Sequence, residues 1–298
     1  MVCDIINIDC LDFLDSTNQT FDLTYLDPPF NQNKGYNSHN DNMDPIEYWR
    51  WMEDVCKNIF DKTTEGGAIY FMQREKNVKE VLFTLEKTGW SFQNLIIWKK
   101  KSSAVPGANK YGKHYQIIVF ATKGNKPRVF NKLRIDPPLL VTEKYKRPTG
   151  MYVTDVWDDI RELTSGYFAG DEPLRVSNSE RLHNQQSPIS LILRIMLSST
   201  MPGDYVFDPF AGTATTNIVA KQIDRNSIGV EKDELYFKHC LKRVNELRGI
   251  DSVNRFIHDY RFTENINVIW GTSEIKEFIK PQFALFEKKV EYKRSSKK

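Results

Sequence analysis

Asp27-Pro28-Pro29-Phe30 and Asp208-Pro209-Phe210-Ala211-Gly212-Thr213 are two short acidic segments, and each follows a run of mostly apolar residues. The runs, 21–26 and 205–207, predict buried strands, because a strand covered on both faces is apolar along its length. Proline cannot continue a strand ladder, so each segment marks the end of its strand. In α/β sheets, functional groups lie at the carboxyl ends of strands. The two segments therefore predict two parts of a functional site.

Strand and helix patterns alternate along the rest of the chain. Asp44-Pro45 and Ser187-Pro188 each place a capping residue before a first-turn proline, Gly66-Gly67 predicts a turn, and Gly89 ends a predicted helix. This alternation predicts an α/β fold with a doubly wound, mostly parallel sheet. The predicted strands cover 2–8, 21–26, 68–72, 92–98, 115–121, 205–207 and 227–230.

The composition limits the class of protein. A chain of 298 residues, 40% of them hydrophobic, can bury one large core. The four cysteines form no CxxC pair, so neither a disulfide framework nor a metal site is predicted. The first residues lack a signal-peptide pattern, and no apolar run approaches the roughly 18 residues that span a bilayer. We therefore expect a soluble, cytoplasmic protein without a membrane partner.

The residue types of the first segment suit recognition of a nucleobase. Asp27 supplies a carboxylate, Pro28 a rigidly held carbonyl, and Phe30 an aromatic ring. The two oxygens can each accept one hydrogen of an exocyclic amine, while the ring stacks on the base. An amine held in this way directs its lone pair at an electrophile. The alternative is that 27–30 is a plain turn at the end of a strand.

The second segment has the features of a nucleoside-cofactor loop. Residues 208–216 lie between a predicted strand and a predicted helix, so backbone amides and the positive helix end can meet an anionic group. Gly212 allows the backbone to approach a ligand closely. Glu231 ends the next predicted strand, about twenty residues on, and can accept hydrogen bonds from ribose hydroxyls. An ordinary turn is the alternative.

Together with four further stretches, these segments resemble the landmarks of one enzyme family. Over residues 1–248 the chain resembles the β-class of S-adenosylmethionine-dependent DNA amino-methyltransferases, whose permuted order places the substrate motif before the cofactor motif. The resemblance implies a Rossmann-like methyltransferase fold and methyl transfer from S-adenosylmethionine to the N6 amine of adenine in double-stranded DNA, with base flipping. The four stretches are Gly66-Gly67-Ala68-Ile69-Tyr70-Phe71, Ile96-Ile97-Trp98-Lys99-Lys100, Val156-Trp157-Asp158-Asp159-Ile160 and His183-Asn184-Gln185-Gln186-Ser187-Pro188.

The resemblance is compatible with more than one function. Methylation of the N4 amine of cytosine uses the same geometry, although relatives that act on cytosine more often begin the first segment with serine. The residues are also compatible with an RNA amino-methyltransferase and with an inactive DNA-binding relative. The resemblance leaves open whether the chain forms a homodimer and whether a cognate restriction endonuclease accompanies it in a restriction-modification system.

The resemblance assigns roles to individual residues. Asp27, Pro28, Pro29 and Phe30 are the expected catalytic residues. Several positions depart from the family pattern: Ile8 and Ala214 each replace a glycine, Ser187 replaces a lysine, and Asn184 and Gln185 also differ. The residues expected to bind the cofactor are Asp9, Cys10, His183, Gln186, Asp208, Pro209, Phe210, Gly212, Thr213, Ala214, Thr215 and Glu231.

Positive charge is concentrated in two stretches, although the net charge is only +3. The window 99–113 contains five lysines and no acidic residue, and 121–150 contains eight basic residues and two acidic ones. Such stretches suit contact with nucleic-acid phosphates and guanine edges. The expected DNA-binding residues are Lys99, Lys100, Lys101, Lys110, Lys113, Arg128, Arg134 and Arg147.

These assignments divide the chain into four segments. Residues 1–120 are the expected catalytic half of the methyltransferase domain, and 181–250 are its cofactor-binding half. Residues 121–180 are the expected target-recognition insertion. Residues 251–298 form a C-terminal extension with no motif that we can interpret.

Overall fold

The structure, a computed structural model, describes residues 1–32, 41–102, 105–136, 149–163, 170–175, 181–183 and 185–271. Its strands are β1 (Cys3–Ile6), β2 (Phe21–Leu26), β3 (Thr63–Arg74), β4 (Trp90–Lys99), β5 (Tyr115–Lys123), β6 (Arg134–Ile135), β7 (Met151–Tyr152), β8 (Val156–Trp157), β9 (Tyr205–Asp208) and β10 (Asn226–Val230). Eight of them form one sheet in the order β1-β10-β9-β2-β3-β5-β4-β8, and β6 pairs with β7.

Helices cover both faces of this sheet. Neighbouring strands are parallel except around β5, which runs antiparallel to β3 and β4. The helices are α1 (Cys10–Ser16), α2 (Pro45–Asp61), α3 (Val78–Lys87), α4 (Ile189–Ser199), α5 (Thr215–Gln222), α6 (Glu234–Asn245) and α7 (Ile266–Trp270). Tyr25 and Tyr70 pack in a core with α4 and α5, while Leu26 and Phe71 pack on the opposite face with α1, α2 and α3. The predicted doubly wound, mostly parallel α/β fold is therefore confirmed.

Both helices predicted to follow these capping residues are present, but only one of the two predicted caps is confirmed. The Asp44 side chain accepts a hydrogen bond from the Ile46 N–H at 2.8 Å, so it caps α2 as predicted. Ser187 makes no capping bond to α4. The Ile189 N–H donates instead to Glu172 Oε1 at 2.8 Å. Because a glutamate caps α4, the Ser187 hydroxyl is free to make a different contact.

Two boundaries also differ from prediction. Gly66-Gly67 lies inside β3, where Gly66 has a φ of +72° and its carbonyl accepts a hydrogen bond from the Arg128 N–H at 2.7 Å. The predicted insertion, 121–180, is not wholly separate from the sheet, because β5 extends to Lys123 and β8 lies beside β4. The sheet itself therefore contains two parts of this region, 121–123 and 156–157.

The described part of the C-terminal extension belongs to the core of the domain. A 3-10 helix, Gly249–Asp251, leads into it, and it contains a second 3-10 helix, Val253–Tyr260, and α7. Trp270 is 0% exposed, and its carbonyl accepts a hydrogen bond from the buried guanidinium of Arg225 at 3.1 Å. Residues 272–298 of the predicted extension lie outside the described residues.

The described ranges hold no helix with the length and hydropathy that a membrane span requires. Within the same ranges, no three His, Cys, Asp or Glu side chains are grouped in a way that could hold a metal ion. Cys3, Cys10, Cys56 and Cys240 are all free thiols.

Candidate functional site

The two acidic segments lie side by side in the folded chain. β2 and β9 are adjacent parallel strands, with Leu23 in register with Val206. Asp27 follows β2 and Asp208 ends β9, so both lie at the carboxyl edge of the sheet. They line one cavity of about 400 Å³, a size that suits a small-molecule ligand. The fold thus joins two segments that are far apart in the sequence.

Two hydroxyl groups contact the Asp27 carboxylate. Ser187 Oγ donates a hydrogen bond to Asp27 Oδ2 at 3.1 Å, and the Tyr25 hydroxyl lies 3.5 Å from the same oxygen. Burial and the negative charge of Asp208 raise the pKa of Asp27 to about 7, while Ser187 and Lys100 oppose the shift. A carboxyl group with a pKa near neutrality is suited to take up and release a proton during a reaction.

The aromatic ring of the first segment is not on the cavity wall. Phe30 is 2% exposed and packs in the hydrophobic core. The neighbouring Pro29 carbonyl accepts a hydrogen bond from the Tyr48 hydroxyl at 2.8 Å, and Gln73 donates to that hydroxyl at 3.0 Å. In this conformation Phe30 cannot stack on a base in the cavity, so its predicted role requires the ring to move.

The second segment forms a tight loop around Asp208. This carboxylate is 3% exposed and accepts hydrogen bonds from the Phe210 N–H at 3.1 Å and from Thr216 Oγ1 at 2.5 Å. Burial raises the pKa of Asp208 to about 6. Gly212, at a φ of +53°, donates its N–H to Glu231 Oε2 at 2.8 Å. The loop is therefore tied to the end of β10.

Glu231 and Ala214 complete this loop. Glu231 Oε1 accepts a hydrogen bond from the Asp233 N–H at 2.8 Å, and burial raises the pKa of Glu231 to about 7. Each carboxylate oxygen can accept a second hydrogen bond, so ribose hydroxyls can still bind there. Ala214 has a φ of +57°, in the left-handed region that costs a non-glycine residue about 1–2 kcal/mol. This backbone conformation explains why glycine is the expected residue at position 214.

The first loop of the chain reaches the same cavity. Asp9 Oδ1 caps α1 by accepting a hydrogen bond from the Leu11 N–H at 2.9 Å, and Oδ2 pairs with Lys232 at 3.1 Å. Both Asp9 and Cys10 line the cavity. The predicted contact between Asp9 and the cofactor would be additional to these two interactions.

Two predicted cofactor residues, His183 and Gln186, lie in the segment before α4, and their side chains make different contacts. His183 lines the cavity, and its ring centroid lies 5.3 Å from that of Tyr236. The Gln186 side chain accepts a hydrogen bond from the Leu174 N–H at 2.9 Å and donates to the Glu172 carbonyl at 3.2 Å. Gln186 therefore holds residues 172–174 in place, and these bonds do not support its predicted role as a cofactor ligand.

The cavity fits S-adenosylmethionine, the cofactor that the resemblance implies. This molecule carries positive charge on its sulfur and its amino group. Asp208 and Glu231 are carboxyl groups with raised pKa values on the cavity wall, and a cation beside them favours their ionised form. Of the predicted cofactor residues, all but Ala214 line the cavity: Asp9, Cys10, His183, Gln186, Asp208, Pro209, Phe210, Gly212, Thr213, Thr215 and Glu231.

Most of the predicted lysine contacts lie at the same edge of the sheet as the cavity. β4 and β2 run in the same direction, so the loop between β4 and β5 begins on the side of Asp27. Lys99, Lys101 and Lys110 are exposed there, and Lys113 pairs with Glu75 at 3.1 Å. These positions suit contact with a polyanion that reaches the cavity.

Lys100 differs from its neighbours in this loop. Its Nζ lies 3.4 Å from the centroid of the Trp98 ring and donates a hydrogen bond to Gln116. Burial lowers the pKa of Lys100 to about 8, although the charges of Glu162 and Asp27 oppose the shift. The side chain therefore points into the protein on the side of Asp27, and this orientation argues against the predicted phosphate contact.

The predicted arginine contacts lie elsewhere. Arg128 is at the opposite edge of the sheet, where it pairs at 2.5 Å with Asp204, the residue before β9. Arg134 donates a hydrogen bond to the Thr149 carbonyl at 2.8 Å. Both side chains hold parts of the protein together, and their positions do not support the predicted DNA contacts. Arg147 lies outside the described residues.

Some residues of the cavity were not predicted from the sequence. Tyr25 and Ser187 contact Asp27, and Trp51, Lys232 and Tyr236 also line the cavity wall. Trp51 belongs to the apolar stripe of α2, and such a stripe contains no signal that distinguishes a ligand-facing residue from a core residue. Tyr25 looks like an ordinary residue of a buried strand for the same reason.

Comparison of the sequence with known proteins points to one family. The sequence model of the DNA methylase family matches residues 21–242. The Type II methyltransferase M1.MboII of Moraxella bovis is 28% identical over 264 residues, which are 80% of this chain and 95% of that protein. The Type II methyltransferase M.HinfI of Haemophilus influenzae is 28% identical over 266 residues, 82% of this chain and 68% of that protein.

Solved structures share the fold. The complex of M1.HpyAVI with S-adenosylmethionine matches with a TM-score of 0.52 at 20% identity and covers 82% of this chain and 100% of its own. The cytosine-N4-specific PvuII DNA methyltransferase matches with a TM-score of 0.58 at 16% identity and covers 90% of this chain and 93% of its own. At these identities the likeness concerns the fold alone.

Proposed function

Because this chain belongs to the DNA methylase family and is an S-adenosylmethionine-dependent DNA amino-methyltransferase, we propose that it methylates the N6 amine of adenine at specific sites in duplex DNA. The observation that carries the proposal is that Asp27 and Asp208, at the carboxyl ends of the adjacent strands β2 and β9, line one cavity. An amine bound at Asp27 would lie close to a cofactor bound at Asp208. By analogy with its Type II relatives, we also propose that a restriction endonuclease recognises the same site.

The proposed chemistry uses Asp27 in two ways. When bound, S-adenosylmethionine supplies a methyl group attached to a positively charged sulfur. The lone pair of the target amine is delocalised into the base, so Asp27 Oδ1 and the Pro28 carbonyl would each accept one amine hydrogen and localise that lone pair. Asp27, with a pKa of about 7, would then take up the proton that the methylated nitrogen loses.

The target base must leave the double helix to reach Asp27. Rotation of a base out of the stack costs a few kcal/mol, and aromatic stacking in the enzyme returns roughly 1–3 kcal/mol. Trp51 already lines the cavity, whereas Phe30 would have to move when the base enters. We propose that residues 121–180 contribute to the choice of site.

Cytosine is the second candidate substrate, because the fold matches that of a cytosine-N4-specific enzyme with a TM-score of 0.58. Adenine is favoured by aspartate rather than serine at position 27. To decide, the purified protein is incubated with labelled cofactor and duplex DNA of mixed sequence, and the DNA is digested to nucleosides. We expect the label in N6-methyl-2′-deoxyadenosine. Label in N4-methyl-2′-deoxycytidine would show that the target base is cytosine. Label in competing RNA would change the substrate class, and cofactor binding without transfer would indicate an inactive relative.

The exposed lysines at the cavity edge, Lys99, Lys101, Lys110 and Lys113, form the proposed DNA surface. Lys110, in this surface, and Arg128, outside it, should therefore behave differently when substituted. Lys110→Ala should make the slope of log affinity against log salt less negative by about 0.9, because one phosphate contact is lost. Arg128→Ala should leave that slope unchanged, because Arg128 is at the far edge of the sheet and paired with Asp204. Titration of labelled duplex DNA at several salt concentrations measures both slopes. Equal slopes for Lys110→Ala and the unmodified protein would remove Lys110 from the DNA surface.

A further inference from the structure

A serine hydroxyl joins a tyrosine to the proposed catalytic carboxylate. Ser187 Oγ lies 2.9 Å from the Tyr25 hydroxyl and 3.1 Å from Asp27 Oδ2. Ser187 and Tyr25 are 8% and 3% exposed, so bulk water does not compete strongly for these groups. Tyr25 lies in β2 and Ser187 immediately precedes the turn into α4, so the contact joins the sheet to a helix.

The hydrogen-bond donors can be counted, because each hydroxyl has only one hydrogen. If Ser187 donates to Asp27, its oxygen must accept the hydrogen of Tyr25, and the 2.9 Å distance suits that bond. The direct contact from Tyr25 to Asp27 is longer, at 3.5 Å. The described residues provide no hydrogen bond to Asp27 Oδ1. One carboxylate oxygen is therefore occupied, and the second is available to a ligand.

We propose that Ser187, held by Tyr25, is a positioning residue that orients Asp27 so that Oδ1 faces the target amine. The inference rests on the proposed methyltransferase function and assigns a role to a position where the chain departs from its family pattern. Helix capping does not explain Ser187, since Glu172 accepts the hydrogen bond from the Ile189 N–H at 2.8 Å.

Two charged groups act on Asp27 in addition to these hydroxyls. Asp208, from β9, raises the pKa of Asp27, and Lys100, after β4, lowers it. The Ser187 hydroxyl also lowers this pKa, because it donates to the charged form of the carboxylate. Loss of the Ser187 hydroxyl must therefore raise the pKa of Asp27 further. Asp27 then becomes ionised only at a higher pH than in the unmodified protein.

The chain contains a matched control. The Tyr70 hydroxyl and Ser199 Oγ lie 2.7 Å apart, and these residues are 2% and 3% exposed. Tyr70 is in register with Tyr25 on the neighbouring strand, and Ser199 is at the opposite end of α4 from Ser187. Both pairs join the sheet to the same helix, but only one of them contacts Asp27.

The experiment measures the single-turnover rate of methyl transfer against pH at saturating cofactor and DNA. Ser187→Ala and Tyr25→Phe should each move the acid limb of the profile upward by about half to one pH unit, with Ser187→Ala showing the larger shift. Ser187→Ala should also lower the plateau rate about tenfold, because Asp27 is less well oriented. Ser187→Thr, which keeps the hydroxyl, should restore the limb. Tyr70→Phe and Ser199→Ala should leave it in place.

The possible outcomes separate the inference from the function on which it rests. If Ser187→Ala folds and its acid limb coincides with that of the unmodified enzyme, the positioning role is wrong while the methyltransferase function stands. If the acid limb moves by the same amount in Tyr70→Phe and Ser199→Ala, the shift is a general packing effect, and the positioning role of Ser187 is wrong. Tyr25→Phe decides the question if Ser187→Ala does not fold. An unmodified protein that methylates no nucleic acid overturns both proposals.

Discussion

Asp27→Ala is expected to lower the rate of methyl transfer by about 1000-fold or more and to leave cofactor affinity nearly unchanged. The substitution removes the proposed acceptor for the target amine, which is also the proposed acceptor of its proton. It leaves intact the loop around Asp208, where the Gly212 N–H donates a hydrogen bond to Glu231 Oε2 at 2.8 Å. Single-turnover transfer of labelled methyl groups measures the rate, and calorimetry measures cofactor binding.

An aspartate at the opposite end of the same strand provides the control. Asp22 lies near the start of β2 and accepts a hydrogen bond from the Tyr205 N–H at 2.9 Å. Asp22→Asn should retain activity, whereas Asp27→Asn, which makes the same change in charge and shape, should lose most of it. If Asp27→Asn kept more than about a tenth of the rate, the carboxylate would not have the role assigned to it.

Glu231→Ala is expected to weaken cofactor binding by about 100-fold, with a smaller effect on the rate at saturating cofactor. The variant loses the proposed acceptor for ribose hydroxyls and also the hydrogen bond between Glu231 and the Gly212 N–H. Calorimetric titration with S-adenosylmethionine measures the affinity, and single-turnover assays at increasing cofactor concentration separate binding from transfer.

Glu234 is the matched control for this substitution. It lies in the first turn of α6, three residues after Glu231, and pairs with Lys238 on the exposed surface at 2.6 Å. Glu234→Ala should bind the cofactor normally. The opposite pattern, in which Glu231→Ala loses only rate and Asp27→Ala loses only binding, would exchange the roles of the two acids and contradict the proposed site.

The elements of the sheet were largely predictable because their signals are local. An apolar run followed by proline identified β2, and Asp44-Pro45 identified the start of α2. Gly66-Gly67 was misread as a turn, because glycine can also occupy a positive φ within a strand that passes close to another backbone. The 3-10 helices of the C-terminal extension gave no sequence signal, since short helices lack a sustained period.

The site shows the same division between local and long-range information. The positions of Asp208, Gly212 and Glu231 at the ends of strands and in the loop are predictable, because neighbouring residues encode loop conformation and strand ends. The role of Ser187 was misread, since serine before proline is typical of a helix cap and nothing nearby indicates that Glu172 caps α4 instead. Lys100 was grouped with exposed lysines, whereas packing on Trp98 turns it inward.

By itself, the sequence determined the α/β alternation, the strand ends that hold the two acids, and the family to which the chain belongs. Only the tertiary structure decided that β2 lies beside β9, that Ser187 contacts Asp27, and that Arg128 is remote from the cavity. The physical reason is the range of the interactions. Backbone preferences act between residues a few positions apart, whereas the partners of a buried hydroxyl or charge are set by how distant segments pack together.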